Sequence, residues 1–207
     1  PKKQTILLED FRKDPQKNPI STPSGKIEIF SETVDSFNYQ DCPGHPTWLE
    51  QEEWLGSNLT KQYPLQLISG QPHNRLHSQL DNGSESQNYK ILGREPIKIH
   101  PQDAQTRGLV DGDVVEVFNK RGKCLAGVII SNEVMKGVVF LPVGAWYDPI
   151  NDGDFCIHGN PNVLTEDIGT SSLAQGPSAH STLVEIKKYT KELPEINVLH
   201  KPSIVNK

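Results

Sequence analysis

Cysteine is scarce in this chain: Cys42, Cys124 and Cys156 are the three in 207 residues. They lie far apart and form no C-x-x-C pair, which excludes a zinc knuckle or an iron–sulfur cluster built from them. Their expected place is the interior, as small hydrophobes. Positive charge is also short, and a formal net charge of -5 gives no field to draw in a nucleic-acid backbone. No nucleic-acid partner is therefore expected. No apolar run approaches the roughly 18 to 20 residues needed to cross a bilayer, so no membrane span is expected either. Hydrophobic residues make up 34% of the chain, low for a compact globule, which predicts some length spent outside the core. The G-x-G-x-x-G, P-loop and G-x-S-x-G patterns are missing, which excludes the common dinucleotide, nucleoside-triphosphate and serine-hydrolase sites. The acidic residues form no catalytic pair, and no metal site is expected.

What the chain has instead is punctuation, with 16 Gly and 16 Pro. Residues 1–60 are polar and Pro-rich and predict a connecting arm, broken by one short strand over Lys26-Ile27-Glu28-Ile29-Phe30. The chain begins at Pro1-Lys2-Lys3 rather than Met, as expected for a piece of a longer polypeptide or for a processed or trimmed chain. Regular structure is predicted over residues 61–190. Strands are expected at Leu65–Ile68, Pro96–Ile99, Val114–Phe118, Lys123–Ile130, Val138–Leu141 and Thr182–Ile186. A short helix from Pro101 to Arg107 has Pro at its first position and Gly108 just past its end. Gly108, Gly112 and Gly122 are expected at positive φ. Short strands about ten residues apart, with one helix among them, predict a mainly β fold, a small barrel or sandwich rather than a doubly wound sheet. Residues 191–207 read as a Lys- and Pro-containing tail.

Two polar loops carry the chemistry. Ser69-Gly70-Gln71-Pro72-His73-Asn74-Arg75-Leu76-His77-Ser78-Gln79 follows a strand. A Ser-Gly strand end leaves backbone N–H groups at a sheet edge, and Gly70 admits a close approach to the backbone. Arg75 supplies a planar fork suited to phosphate or a heterocycle, while His77 and Gln79 suit ring heteroatoms. A solvated loop of the same composition is the commoner explanation of such a run. The second loop, from His158 to Gly176, strings amides, hydroxyls and glycines together with few aliphatics. Loops of that length in compact domains are usually functional or disordered, and this one suits a ligand with many hydrogen-bonding edges, such as a pterin or purine.

These segments resemble the carboxy-terminal domain of the dimethyl sulfoxide reductase family, in its trimethylamine-N-oxide and biotin-sulfoxide reductase branches. The resemblance rests on Thr22-Pro23-Ser24-Gly25-Lys26-Ile27-Glu28, on the loop from Ser69 to Gln79, on His100-Pro101-Gln102-Asp103-Ala104 with Gly108 and Asp111-Gly112-Asp113, and on the loop from His158 to Gly176. It implies a double-psi β-barrel, aspartate-decarboxylase-like, with short helices and long loops. That barrel would close over a bis(molybdopterin guanine dinucleotide) cofactor held mainly by other domains. The implied cofactor contacts are Ser69, Gly70, Arg75, His77, Ser78, Gln79, His158, Asn160, Asn162, Asp167 and Gln175. The family's protein ligand to molybdenum lies in an earlier domain, so no metal ligand and no catalytic residue is expected here, and the fragment alone is expected to be inactive. Implied partners are the remaining domains of a parent N- or S-oxide reductase and an electron donor such as a c-type cytochrome. The trimethylamine-N-oxide branch implies a periplasmic location, the biotin-sulfoxide branch a cytoplasmic one.

Two other readings stay open on the residues themselves. A non-catalytic double-psi-barrel binding module would want apolar pockets where the second loop offers amides and hydroxyls. A self-processing pyruvoyl enzyme would need a Gly-Ser cleavage site, and the Gly and Ser neighbours at 24–25, 56–57 and 83–84 lack supporting context.

Overall fold

The computed structural model describes residues 5–150 and 155–201. It contains two compact units, Pro1–Glu50 with Thr170–Gly176, and Gln51–Gly169 with Pro177–Lys207. The first unit therefore closes at Glu50, and it takes in part of the second polar loop.

In the first unit, α1 (Glu9–Lys13) and α2 (Glu32–Asp35) are single turns. Ser31 caps α2, its hydroxyl accepting from Val34 N at 3.3 Å. Ser172 donates from its backbone and its hydroxyl to Asp41, at 2.8 and 3.1 Å. The strand expected over residues 26–30 does not form. Thr22 to Glu28 closes instead as a turn, with Gly25 N–H on Thr22 O and Ser24 N–H on the Glu28 carboxylate. Ile27 and Ile29 are 67% and 79% exposed, and alternation alone cannot make a strand where no neighbouring strand completes the ladder. Cys42 is only half-buried, against the interior position expected for it.

The second unit is a closed barrel. Its strands are β1 (Leu65–Ile68), β2 (Pro96–Ile99), β3 (Val114–Phe118), β4 (Lys123–Ile130), β5 (Val138–Phe140) and β8 (Leu183–Lys188). They run in the order β2-β5-β1-β8-β3-β4, and β4 pairs back onto β2. The β1–β5 and β2–β4 pairs are parallel and the remaining barrel pairs antiparallel, the interleaved arrangement of a double-psi barrel. Two short strands outside the expected set, β6 (Pro149–Ile150) and β7 (Phe155–Cys156), extend the sheet beside β4.

Residue size explains the barrel interior. Cys124, Ala126 and Val128 of β4 meet Leu65, Leu67, Ile97, Ile99, Val115 and Val117 there, small against large. The opposite face of β4 is covered too, Leu125 packing with Val114, Phe155 and Ile157. That double burial is why residues 124–130 read as an almost unbroken apolar run. Cys124 and Cys156 are buried and face each other in register across β4 and β7. Burial, and secondarily the neighbouring Cys156 thiol, pushes the Cys124 pKa well up.

Helix α4 (Pro101–Thr106) has Pro at its start and a His100 cap, and Gly108 beyond it takes φ 61°. Asp103 of α4 accepts from Gly137 N at 2.6 Å, and Asp111 accepts from Ile130 N at 2.8 Å, so the acidic turn residues pin strand ends. Gly112 has the expected positive φ and Gly122 does not. The 119–122 turn is closed by Asn119, whose side chain accepts from Arg121 N, so no left-handed residue is needed at 122.

The barrel unit also recruits residues ahead of β1. Glu53 is 5% exposed and receives both Arg121 Nη atoms, at 2.5 and 2.8 Å, and Leu183 N at 2.8 Å. Arg121 and the hydrogen bonds hold the Glu53 carboxyl below its usual range against the opposing effect of burial.

Candidate functional site

Topology places the first polar loop and the start of the second at one edge of the barrel. Because β1 and β5 are parallel, the loops that follow them leave from the same edge. Strand β2 is antiparallel to β5, so its beginning lies there as well. Glu95, just before β2, donates its N–H to His158 O at 3.1 Å, which brings the start of the second loop to that edge.

A turn at Leu76–Gln79 forms the rim, with Gln79 N–H on Leu76 O at 2.9 Å. His77 sits in it at φ 50°, an uncommon conformation for a side chain with a Cβ. The turn is held from below. Arg75 Nε donates to His77 O at 3.1 Å, Arg75 Nη2 to Val143 O at 2.9 Å, and Trp146 Nε1 to Ser78 O at 2.7 Å. Gly144, at φ 96°, passes so close beneath the turn that a Cβ there would collide with His77 O, so only glycine fits.

Beneath the rim lies a buried quartet of charges. The side chains of Arg75, Asp81 and Glu95 are 0% exposed and that of Lys90 is 1%. Lys90 Nζ bridges Asp81 at 2.9 Å and Glu95 at 2.7 Å. Arg75 lies 3.6 Å from Asp81 and 3.0 Å from Glu95 Oε1, the latter a charge contact without hydrogen-bond alignment. Two cations and two carboxylates leave the set neutral, the condition under which such burial is tolerated. Ser86, on α3 (Ser84–Tyr89), donates to Asp81 and accepts from Arg75. Asp81 also accepts Trp146 N–H at 2.8 Å, and its carboxyl is held below the usual range by Lys90, Trp146 N–H and His158, which together outweigh burial.

His158 is fully buried beside this set, with Nδ1 3.1 Å from Trp146 O. A carbonyl only accepts, so Nδ1 carries the proton. Burial, and then the Lys90 charge, lowers its pKa to about 4, despite the opposing pull of Asp81 and the carbonyl. The imidazole is therefore neutral at physiological pH, and its Nε2 is left without a partner in the chain.

The expected site residues divide by exposure. His77, Ser78, Gln79, Asn162 and Asp167 are exposed, and Asn160 is half-buried. The Asn160 side chain accepts Asn162 N–H at 2.9 Å and caps a 3-10 turn over Pro161–Val163, which turns the Asn162 side chain outward. Gln79 is among the exposed groups at the rim, whereas Arg75 is an interior group whose fork is engaged by the protein, and His158 is interior with Nδ1 on Trp146 O and Nε2 unpartnered. Ser69 is buried as well: its hydroxyl donates to Leu141 O, and its N–H, expected to be free, donates to His180 Nδ1 at 3.3 Å. At Gly70 a Cβ would meet the Phe140 ring at 3.0 Å, so the missing side chain makes room for Phe140. Gln175 belongs to the first unit, where it donates to Ser171 O. His73 and His77 stand four apart, but the segment is a turn, and no group of three or more His, Cys, Asp or Glu suited to a metal forms among the described residues.

Residues 65–183 match the model of the Molydopterin dinucleotide binding domain. The chain belongs to that family. It is 48% identical over 207 residues to the trimethylamine-N-oxide reductase of Haemophilus influenzae, covering 98% of this chain and 25% of the relative. It is 50% identical over 196 residues to trimethylamine-N-oxide reductase 1 of Escherichia coli K12, covering 92% and 23%. With the dimethyl sulfoxide/trimethylamine N-oxide reductase of Cereibacter sphaeroides the identity is 44% over 200 residues, covering 95% and 24%. The chain thus spans about a quarter of the length of the curated relatives it matches. Acetylene hydratase from Pelobacter acetylenicus shares the fold, with a TM-score of 0.66 at 22% identity over 85% of this chain and 25% of that one.

The donor set of this dinucleotide-binding domain suits a polar heterocycle. Both polar atoms of the Asn74 amide are buried without a partner in the first loop, as is His158 Nε2 at the start of the second. Orphaned groups of this kind call for a hydrogen-bonding ligand or ordered water. Sequence reasoning passed over Asn74, although it lies inside the loop already singled out. It also passed over Asp81, Lys90, Glu95 and Trp146, whose contacts fall at spacings that follow no helix or strand period and so leave no local pattern.

Proposed function

We propose that this chain is the cofactor-binding domain of a molybdenum oxidoreductase that reduces N-oxides or S-oxides, such as trimethylamine N-oxide or biotin or methionine sulfoxide. In that reading the barrel closes over a bis(molybdopterin guanine dinucleotide) cofactor. The observation that carries the reading is 48% identity to a trimethylamine-N-oxide reductase over nearly the whole chain. The geometry supports it with a rim of exposed hydrogen-bonding groups on a buried, ion-paired base.

When bound, the cofactor would supply the two-electron chemistry that takes oxygen from the substrate. This chain's contribution is to hold it. Ser78, Gln79, Asn160 and Asn162 offer the amide and hydroxyl groups that a pterin or guanine edge requires, and His77, Asp167 and Gln175 are exposed polar groups as well. Ser69, Gly70, Arg75 and His158 support these loops from within. Substrate reduction rests on the remaining domains of the parent enzyme, with electrons from a donor such as a c-type cytochrome, and the trimethylamine-N-oxide relatives favour a periplasmic setting. No helix among the described residues is long and apolar enough to cross a membrane.

The test is made in the reductase that carries this domain, by measuring molybdenum, released pterin and guanine nucleotide per protein for Gln79→Leu and Asn162→Leu. Each replacement leaves a ligand polar atom unpaired, at about 1 to 3 kcal/mol, so occupancy falls while the melting temperature holds. Lys188→Met is the control, on an exposed side chain paired with Asp113. Equal occupancy in the loop variants and the control would refute the site. The 207-residue chain alone is expected to turn over no trimethylamine N-oxide with reduced methyl viologen, and turnover by it would refute the assignment of the chemistry to other domains.

A further inference from the structure

The buried quartet lies under the rim without reaching it, and this changes the part that Arg75 plays. Its guanidinium is fully buried, with Nε on His77 O, Nη1 on Ser86 and Nη2 on Val143 O. Each nitrogen of the fork is engaged by the protein, so the fork faces inward rather than toward a phosphate or a ring. The carbonyls it grips are those of the exposed turn and of the Val143–Trp146 strap that passes beneath it. Lys90, held between Asp81 and Glu95 at 2.9 and 2.7 Å, fixes both carboxylates in place around Arg75. Asp81 in turn fixes Trp146 N–H, and Trp146 fixes Ser78 O on one side and His158 on the other.

We propose that Arg75, Asp81, Lys90 and Glu95 act together as a positioning device, which presents the turn at Leu76–Gln79 and the start of the second loop to the dinucleotide as one rigid edge. Arg75 is then a positioning residue that acts through the His77 and Val143 carbonyls, and the left-handed conformation at His77 is maintained by that grip. The inference rests on the proposed function for the identity of the ligand, but the rigidity of the edge is a property of the protein by itself.

The experiment separates the two. The reductase carrying this domain is prepared without and with its cofactor, as wild type, Arg75→Lys, Lys90→Met and the charge-balanced pair Lys90→Met with Asp81→Asn. Amide hydrogen exchange is read in the cofactor-free protein over residues 76–79 and 143–146, with β3 and β4 as internal references. Pterin and guanine nucleotide are then counted in the loaded protein. Arg75→Lys keeps the charge but loses the fork, so exchange at 76–79 rises on the order of tenfold, the loss of one hydrogen bond to a charged group. The reference strands stay unchanged and dinucleotide content falls. Lys90→Met gives the same local loosening, and adding Asp81→Asn, which restores neutrality while Arg75 keeps Glu95, brings exchange and content back toward wild type. Wild-type exchange at 76–79 in Arg75→Lys overturns the proposal. So does a loosened turn that retains full dinucleotide content, and so does lost content with an unchanged turn, which would place Arg75 in direct contact with the ligand. A wild-type reductase lacking dinucleotide would overturn the functional reading instead, and the exchange of residues 76–79 in Arg75→Lys would still decide the positioning role.

Discussion

Protonation of His158 would place a third cation beside Arg75 and Lys90 in a fully buried set whose charges now balance, and acid should therefore weaken the barrel in a definite window. The folded imidazole has a pKa of about 4 against an ordinary value of 6.5, and in the unfolded chain it titrates near that ordinary value. Between those two values the unfolded chain holds a proton that the folded one refuses, so stability falls as pH is lowered from about 6.5 to about 4 and this contribution then levels off. A difference of about 2.5 units at 1.36 kcal/mol per unit is roughly 3 kcal/mol. The Asp81 carboxyl, already held low, adds its own loss only as pH falls below its ordinary range of about 4. Urea unfolding across pH 7 to 4, with His158→Asn beside wild type, reads the effect. The variant keeps a polar group near Trp146 O but has no proton to gain, so its stability should change less over this window, by about the same 3 kcal/mol. Parallel curves for the two proteins, or a His158 C2-proton titration centred at about 6.5 or above, would refute the argument.

Glu53→Ala should destabilise the barrel by about 3 kcal/mol, since it strips Arg121 of its bidentate partner and leaves Leu183 N–H unpaired in the interior, and thermal unfolding measures it. A shift close to zero would show that residues ahead of β1 lie outside the barrel. Gly144→Ala should be more damaging than Gly108→Ala by at least about 2 kcal/mol. Its Cβ would strike His77 O, whereas at Gly108 nothing stands within 4 Å and only the cost of a positive φ, about 1 kcal/mol, applies. Gly122→Ala, where φ is not positive, should melt close to wild type.

The barrel strands were legible because their signal is local. Alternation in Leu65–Ile68, the apolar run of β4, the Pro start and Gly end of α4 and the Asp-Gly-Asp turn each state their own structure within a few residues. Lys26–Phe30 shows where such a signal runs out, because alternation describes a face without supplying a partner strand, and the turn chemistry of Thr22–Glu28 decided the outcome.

The loops divide along the same line. Sequence determined which segments are polar and too long to be mere connections, and it singled out Arg75, His77 and Gln79 as hydrogen-bonding groups, with Ser78, Asn160 and Asn162 added by the family resemblance. Only the tertiary structure decided which polar groups face outward. Arg75 and His158 look like ligand contacts in the sequence, while Lys90, Asp81 and Glu95 look like ordinary surface charge. All five are buried together because the path of residues 75–95 and the carbonyl of Trp146 give each an opposite charge or an acceptor. The free energy of a buried charge depends on the positions of its partners, and those positions exist only once the barrel has closed.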